Sequence, residues 1–318
     1  MDIISLYYFS ELAKDLHITR TANRLFISQQ TLSNHLARLE EYYGVQLMYR
    51  KPSLALTCAG EFVLSFADVV NKEHTNLRDI LSDVEKQEIG VLRFGASPLR
   101  VNTCLPNILP EFTARYPRVE LRITDDMSAR LEPMVLSGEL DFAAVLSGKP
   151  DPELVSDQLM LDPVYLCVSD TLLREYYGEE TESLKERAIH GADVADFAKL
   201  PFCLHSNRLG QRITECFLER GITPNTYVVS SGTLVSVSLC IERLAACFAT
   251  HMRLANQRER IPKDINIFPL YAHGEPLTQT LTLIRRKDRY LAHYSKLFLD
   301  LLFRYFSDVE HIQMEHLA

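Results

Sequence analysis

The first residues whose types and spacing could do chemistry lie on one face of a helix predicted to begin after Ser28. Glutamine and asparagine side chains each present a donor and an acceptor to adenine, and serine can face either kind of base edge. Near a helix N-terminus, such groups can reach the major groove of duplex DNA. The alternative is that they only solvate a surface helix. The polar positions of this face are Gln29, Gln30, Thr31, Ser33, Asn34 and Arg38.

Basic residues lie in and around this helix, and its part up to Leu39 contains no acidic residue. Residues 16–39 and 42–60 contain no Asp or Glu, although the whole chain of 318 residues has a net charge of −8. A segregated, acid-free surface is an electrostatic footprint for phosphate. A solvated charge is the alternative at each position. We predict phosphate rather than base contacts for Arg20, Arg24, Arg38, Arg50 and Lys51.

A second set of polar side chains follows predicted strands further along the chain. Open α/β sheets bind ligands at strand ends, and helix N-termini attract anions. The sequence therefore predicts a site for a polar or anionic small molecule, although a helix cap or turn is the alternative role for each residue. A protonated His205 would make affinity fall as pH rises through the imidazole range. The predicted ligand-binding residues are Ser97, Ser128, His205, Ser206, Asn207 and Thr233.

Other chemistry is poorly represented. The seven cysteines form no C-x-x-C pair, which is typical of small buried thiols in a reducing cytosol. Cys203 and His205 lack a second ligand pair, so we predict no metal site. Because G-x-S-x-G, H-E-x-x-H and phosphate-binding glycine loops are absent, we predict no catalytic residues and no cofactor. No long apolar run and no secretion signal occurs, so we expect a cytoplasmic protein that does not enter the membrane.

The elements that position the first face form a winged helix-turn-helix over residues 1–57. Helices are predicted over residues 2–15, after His17-Ile18 with Thr19 as the cap, and from Ser28 to Gly44, where glycine ends the helix. Two short β-like stretches, 45–49 and 53–56, flank residues 50–52 and predict a hairpin wing.

A long helix is predicted from about Cys58 to Glu88, capped by Thr57 and ended by Gly90, so that residues 58–89 form a linker. Apolar residues recur at heptad spacing, interrupted by Glu73, which predicts pairing with another helix. Burial against its own domain is the alternative. The predicted dimerisation residues are Val63, Phe66, Val70, Leu77, Ile80 and Val84.

Residues 90–318 alternate strands with helices, which predicts an α/β domain with an open, mostly parallel sheet. Two similar sets predict two lobes with a cleft between them: lobe 1 over about 90–163 and 269–318, and lobe 2 over about 164–268. Residues 159–169 predict two strands that flank Asp162-Pro163. Residues 174–196 predict an insertion or a solvated helix.

These motifs closely resemble those of the LysR-type transcriptional regulators. The resemblance rests on residues 19–25 (TRTANRL), 27–33 (ISQQTLS), 44–45 (GV) and 56–60 (LTCAG), and continues through 95–97 (GAS), 138–141 (GELD) and 221–224 (GITP). It implies a sequence-specific transcriptional regulator that binds double-stranded operator DNA. It also implies a homodimer or homotetramer joined through linker helices, and a two-lobed sensing domain similar to periplasmic binding proteins, with the effector between its lobes.

Two other functions remain open from the residues alone. The two lobes would suit an extracytoplasmic solute-binding protein, but the missing signal peptide and the helix-turn-helix count against it. An enzyme with an attached DNA-binding domain is disfavoured because catalytic motifs are missing.

Overall fold

The computed structural model describes residues 2–51, 53–85, 88–146, 148, 150–230 and 234–313. Thr233, one of the predicted ligand-binding residues, therefore lies outside the described residues. In the described part of the chain, no helix has the length and apolar character needed to cross a membrane.

Three helices, α1 (Ile3–Asp15), α2 (Ile18–Arg24) and α3 (Gln29–Tyr43), form the N-terminal domain. Ser28 caps α3 as predicted, since its Oγ accepts a hydrogen bond from the Thr31 amide at 3.0 Å, and Gly44 ends the helix with φ at +69°. The prediction of Thr19 as the cap of α2 is wrong. His17 is the cap, and its Nδ1 accepts from the Arg20 amide at 3.2 Å.

The wing is a short hairpin of β1 (Met48–Tyr49) and β2 (Ala55–Leu56), with Met48 paired to Leu56. Glu40 of α3 fixes the first strand of the wing, because the Glu40 Oε1 accepts hydrogen bonds from the amides of Leu47 and Met48 at 3.0 and 3.3 Å. The wing is thereby held in a fixed position beside α3.

The linker helix α4 spans Cys58–Val84, capped as predicted by the Thr57 hydroxyl, which accepts from the Gly60 amide at 2.9 Å. Gly60 packs directly on the wing, since a Cβ there would lie 2.1 Å from the Leu47 carbonyl oxygen. The predicted end near Glu88 and Gly90 is wrong. The helix ends at Val84, and Gly90 is the first residue of the next strand, where it contacts the Tyr294 ring.

Lobe 1 begins with parallel strands joined by helices. Strand β3 pairs in parallel with β4 on one side and with β5 on the other. The prediction of parallel pairing is confirmed for these strands. The elements are β3 (Gly90–Ala96), α5 (Pro98–Arg115), β4 (Val119–Asp125), α6 (Ser128–Ser137) and β5 (Phe142–Leu146).

A single strand, β6 (Leu154–Ser169), runs from lobe 1 into lobe 2, so the prediction of two strands flanking Asp162-Pro163 is wrong. Its first part, up to Pro163, pairs with a late strand of lobe 1, and its second part, from Val164 on, pairs with strands of lobe 2. Pro163 is tolerated because it lies where one ladder ends and the next begins.

Lobe 2 continues with two helices where an insertion or a solvated helix was predicted. That prediction is wrong, because Leu184, Ala188 and Val194 are buried in the core of this lobe. Strand β7 pairs in parallel with β8 and β9. The elements are α7 (Asp170–Tyr177), α8 (Thr181–Ala188), β7 (Phe202–His205), α9 (Arg208–Glu219), β8 (Thr226–Ser230), α10 (Leu234–Ile241), β9 (Ala246–Thr250), α11 (His251–Ala255) and β10 (Ile265–Pro269).

The chain then returns to lobe 1, and nine of the described strands join into one mixed sheet. With β13 spanning Thr278–Arg286, its order is β4-β3-β5-β13-β6-β9-β7-β8, and β10 is also paired to β6. Strands β3 and β7 pair in parallel with their neighbours, whereas β13 and β6 pair antiparallel with theirs, so the sheet is mixed and the prediction of a mostly parallel sheet is wrong. The returning elements are β11 (Tyr271–Ala272), β12 (Glu275–Pro276), β13 (Thr278–Arg286) and α12 (His293–Glu310).

Candidate DNA-binding surface, assembly helix and effector cleft

The predicted base-reading face of α3 is open to solvent. Gln29, Gln30, Asn34 and Arg38 are exposed, whereas Thr31 and Ser33 are half-buried. The opposite face, Leu32, Leu36 and Leu39, is buried in the core of the domain. The burial pattern thus holds α3 in place while its polar face stays free to contact a partner.

His35 fixes α3 to α1. Its Nδ1 lies 2.8 Å from Ser5 Oγ, and its ring stands edge-on to Tyr8 with centroids 4.8 Å apart. The orientation of the polar face is therefore set by contacts on the inner side of the helix.

The predicted phosphate-binding cations are in different surroundings. Arg20, Arg38 and Lys51 are exposed, and Arg50 lies 3.2 Å from Glu40 Oε2 at the base of the wing. Arg24 instead bonds Glu11 and Asp15 of α1, with 2.7 Å from Nη2 to Asp15. Burial alone would raise the pKa of Asp15, but hydrogen bonds from Arg24 and Thr21 lower it. This places Arg24 in an ion-pair cluster that joins α2 to α1.

Sequence reasoning missed an aromatic residue in the turn before α3. Phe26 is 96% exposed and has φ at +55°, the left-handed conformation in which glycine is usual. The amides of Phe26 and Ile27 bond the carbonyls of Asn23 and Ala22, which closes the end of α2. The one signal for this feature in the sequence is that the turn between α2 and α3, which needs a positive φ, contains no glycine.

The apolar stripe of α4 divides between two environments. Val63 and Val70 pack against the core of the N-terminal domain, so the prediction of one continuous external seam is wrong for them. Seven other apolar side chains are exposed along one side of the helix. They are Phe62, Phe66, Val69, Leu77, Ile80, Leu81 and Val84, here called the outer stripe.

A buried polar cluster joins α4 to lobe 1. The Arg289 guanidinium donates to Asp79 Oδ2 at 2.6 Å, to Asn76 Oδ1 at 2.9 Å and to Asp141 Oδ1 at 2.9 Å. Tyr294 donates to the other oxygen of Asp79 at 2.8 Å. The Arg289, Asp79 and Asp141 side chains are 7% exposed or less, so these charges are paired away from water. We call this set the Arg289 cluster.

The predicted ligand-binding residues lie at strand ends, but Ser128 and Asn207 are already engaged by backbone amides and Ser97 by a side chain. Ser128 Oγ accepts from the Leu146 amide at 3.0 Å, and Asn207 caps α9 by accepting from the Gly210 amide at 3.1 Å. Ser97 Oγ accepts from Arg100 Nη1 at 3.0 Å, and Ser206 is exposed. Ser97, Ser206 and His205 therefore remain the candidates for ligand contact.

A cavity of about 480 Å³ lies between the lobes, in the size range of small-molecule sites. Leu146 lines it from lobe 1, and Arg208 and Arg212 line it from α9 of lobe 2. Residues 275–280 close its third side. None of the described predicted residues lines this cavity, so sequence reasoning missed the two arginines.

His205 is buried and its Nδ1 has no hydrogen-bond partner. Burial disfavours the charged imidazolium and lowers the pKa of His205 below its usual 6.5. Burial therefore works against the protonated form that a pH-dependent affinity would require, and His205 offers a neutral ring to a ligand.

His205 should make the protein sensitive to mild acid. The unfolded chain takes up a proton near pH 6.5 and the folded chain only at lower pH, so stability falls as pH drops through this interval. We expect the thermal midpoint of His205→Gln to fall less than that of wild type between about pH 7 and about pH 5. The exposed-residue control His190→Gln should follow wild type. Equal slopes for His205→Gln and wild type would contradict this assignment.

Three of the seven cysteines, Cys167, Cys247 and Cys203, form a row across neighbouring strands of lobe 2. Cys247 of β9 pairs in register with Cys167 of β6 and with Cys203 of β7, and Cys240 belongs to the same core cluster. Six of the seven are buried as predicted, whereas Cys58 is exposed. Among the described residues, no group of three or more His, Cys, Asp or Glu side chains could hold a metal ion.

The fold and its exposed surfaces define a helix-turn-helix DNA-binding protein with a two-lobed α/β domain. Residues 3–61 match the bacterial regulatory helix-turn-helix protein, lysR family, and residues 85–307 match the LysR substrate binding domain. The chain belongs to the LysR family of transcriptional regulators. It is thus a DNA-binding transcriptional regulator with a domain for a small-molecule effector, and its relatives are regulators rather than enzymes.

Curated relatives support this along the whole chain. The chain is 27% identical over 315 residues to the uncharacterized HTH-type transcriptional regulator YcgK of Bacillus subtilis, covering 95% of this chain and 94% of that protein. It is 26% identical over 272 residues to the HTH-type transcriptional activator IlvY of Salmonella typhimurium, with coverage of 84% and 88%.

Solved structures share the fold. A full-length OxyR variant from Pseudomonas aeruginosa superposes with a TM-score of 0.66 at 19% identity, covering 96% of this chain and 94% of that one. Full-length CbnR in complex with its target DNA gives a TM-score of 0.55 at 18% identity, with coverage of 96% and 99%.

Proposed function

We propose that this regulator acts as a homodimer or homotetramer that reads a two-part operator in double-stranded DNA with the exposed face of α3. In this proposal residues 1–57 bind DNA, residues 58–89 link and dimerise, and residues 90–318 bind the effector in the cytoplasm. The observation that carries it is the exposed polar face of α3, which is held by a buried apolar face and lies in an acid-free segment.

Within this surface, base contacts and phosphate contacts divide by position. Gln29, Gln30 and Asn34 project near the exposed N-terminal half of α3, where side chains reach base edges. Arg20, Arg38, Arg50 and Lys51 serve as phosphate contacts, which fix the register and are sensitive to salt. Arg24 supports this surface through its ion pairs with Glu11 and Asp15.

We expect Asn34→Ala, and to a smaller degree Ser33→Ala, to weaken operator binding by about 1–3 kcal/mol with little effect on non-specific DNA. Arg38→Ala should weaken binding to both DNAs and flatten the dependence of log K on log salt, because fewer counterions are released. Fluorescence anisotropy with both DNAs over a salt series measures these effects. Equal losses on both DNAs for Asn34→Ala would remove Asn34 from base readout.

For the effector, we propose a polar small molecule bound between the lobes. The cavity of about 480 Å³ there and the polar groups at the adjoining strand ends support this proposal. A thermal-shift screen of polar metabolites tests it, since a ligand present at 100 times its Kd adds about 2.7 kcal/mol of stability. A hit that stabilises the Ser97→Ala/His205→Ala double variant as strongly as wild type would place the pocket elsewhere.

A further inference from the structure

We propose that the effector carries a carboxylate or a comparable oxyanion, and that the buried guanidinium of Arg253 anchors it. The proposal rests on the proposed function above, in which a small molecule binds between the lobes. It adds the chemical class of that molecule and a binding residue that no sequence motif indicated.

Arg253 lies beside the ligand-facing edge of lobe 2. It belongs to α11, which follows β9 directly. Strands β7 and β9 run parallel and in register, with Cys203 opposite Cys247, so their carboxyl ends share one edge of the sheet. That edge carries His205, and ligands of such sheets bind beyond it. Burial lowers the pKa of the His205 imidazole, and the positive charge of Arg253 lowers it further.

Arg253 is one of three buried arginines in the described part of the chain whose guanidinium has nitrogens without a hydrogen-bond partner, the others being Arg100 and Arg286. Arg253 is 4% exposed, and its Nε and Nη2 have no hydrogen-bond partner. Arg289 is paired with two aspartates, and Arg286 lies 3.0 Å from Asp288. Arg100 donates to Ser97 and feels the charge of Asp162. In the described part of the chain, Arg253 makes no comparable ion pair.

A buried guanidinium without an anion is costly, because its lost hydration is not replaced. An oxyanion would supply the missing charge and accept from the planar guanidinium fork in a bidentate geometry. The unpartnered Nδ1 of His205 provides a second polar group near the same place. Two unsatisfied and nearly fully buried side chains at one strand edge thus favour an anionic ligand over a neutral one.

The test compares the thermal midpoints of full-length wild type, Arg253→Met and Arg253→Lys in acetate, succinate or inorganic phosphate, with acetamide as the neutral counterpart of acetate. Sodium chloride keeps the ionic strength constant. We expect a saturable rise of the wild-type midpoint with at least one anion and none with acetamide. Arg253→Met should start several degrees above wild type, because the uncompensated charge is gone, and should lose the anion response. Arg253→Lys should respond more weakly than wild type.

Arg304→Met is the matched control, because Arg304 is exposed on α12, and it should follow wild type throughout. The proposal is overturned if Arg253→Met keeps the wild-type anion response, if its midpoint lies below that of wild type, or if none of the three anions stabilises wild type saturably. A neutral metabolite that stabilises wild type and Arg253→Met equally would uphold binding between the lobes while refuting the anion anchor. Should no compound of either class bind, both proposals fail.

Discussion

Replacing Leu77 by glutamate is expected to convert the proposed dimer to monomers and to abolish tight operator binding. Leu77 is 51% exposed in the outer stripe of α4 and lies outside the core of its own domain. In a helix pair the new carboxylate would be desolvated opposite apolar side chains, which is unfavourable. Separate monomers would lose the effective concentration that two linked DNA-binding domains share. Sedimentation velocity and operator titration measure the two losses.

Leu218→Glu provides the matched control, because Leu218 is 61% exposed on α9 of lobe 2, away from α4. This variant should keep the wild-type assembly state. Val70→Glu should behave differently again, by destabilising the N-terminal domain in which Val70 is partly buried. A Leu77→Glu protein that sediments like wild type would show that the outer stripe is not the assembly surface.

The second large effect is expected at the Arg289 cluster, where Arg289→Met should lower the stability of the protein by about 3–5 kcal/mol. The substitution leaves Asp79 and Asp141 buried without their shared cation, and the side chain of Asn76 loses a donor. Thermal unfolding of the full chain measures the loss. Since the cluster joins α4 to lobe 1, limited proteolysis should also cut more rapidly between these two parts.

Adding Asp79→Asn and Asp141→Asn to Arg289→Met should recover part of the lost stability, because the uncompensated carboxylates are then removed. Arg304→Met, whose partner Glu111 is exposed, should change stability by less than about 1 kcal/mol. A stability of Arg289→Met within that small range would contradict the central role of the cluster.

Local chemistry explains which parts of this structure were predictable. The hydroxyls of Ser28 and Thr57 cap helices that start next to them, and Gly44 ends a helix beside it, so these boundaries follow from neighbouring residues. Heptad spacing correctly indicated a long helix. It could not assign Val63 and Val70, because the same spacing describes a face turned inward and a face turned outward.

The errors and omissions involve distant partners. Pro163 by itself predicts a break in the strand. The structure has no break there, because β6 changes its pairing partners at that residue, and those partners lie more than 80 residues further along the chain. The hydrogen bonds of the Arg289 cluster join residues separated by 148 to 215 positions. Arg253 resembles an ordinary basic residue until its burial and its lack of an anion are known. No local pattern encodes such contacts.

The continuity of β6 sets the mechanics of any response to a ligand. Because both halves of β6 are hydrogen-bonded to other strands, β6 cannot act as a flexible linker. The lobes are therefore expected to turn relative to each other by twisting around Asp162 and Pro163. Proline fixes one of the torsion angles there, and the Asp162 carboxylate accepts from the Met252 amide at 2.8 Å, which stiffens the pivot further. The expected motion is therefore a rotation of small amplitude rather than a wide opening of the cleft. It would be transmitted to α4 through the Arg289 cluster, which attaches α4 to lobe 1.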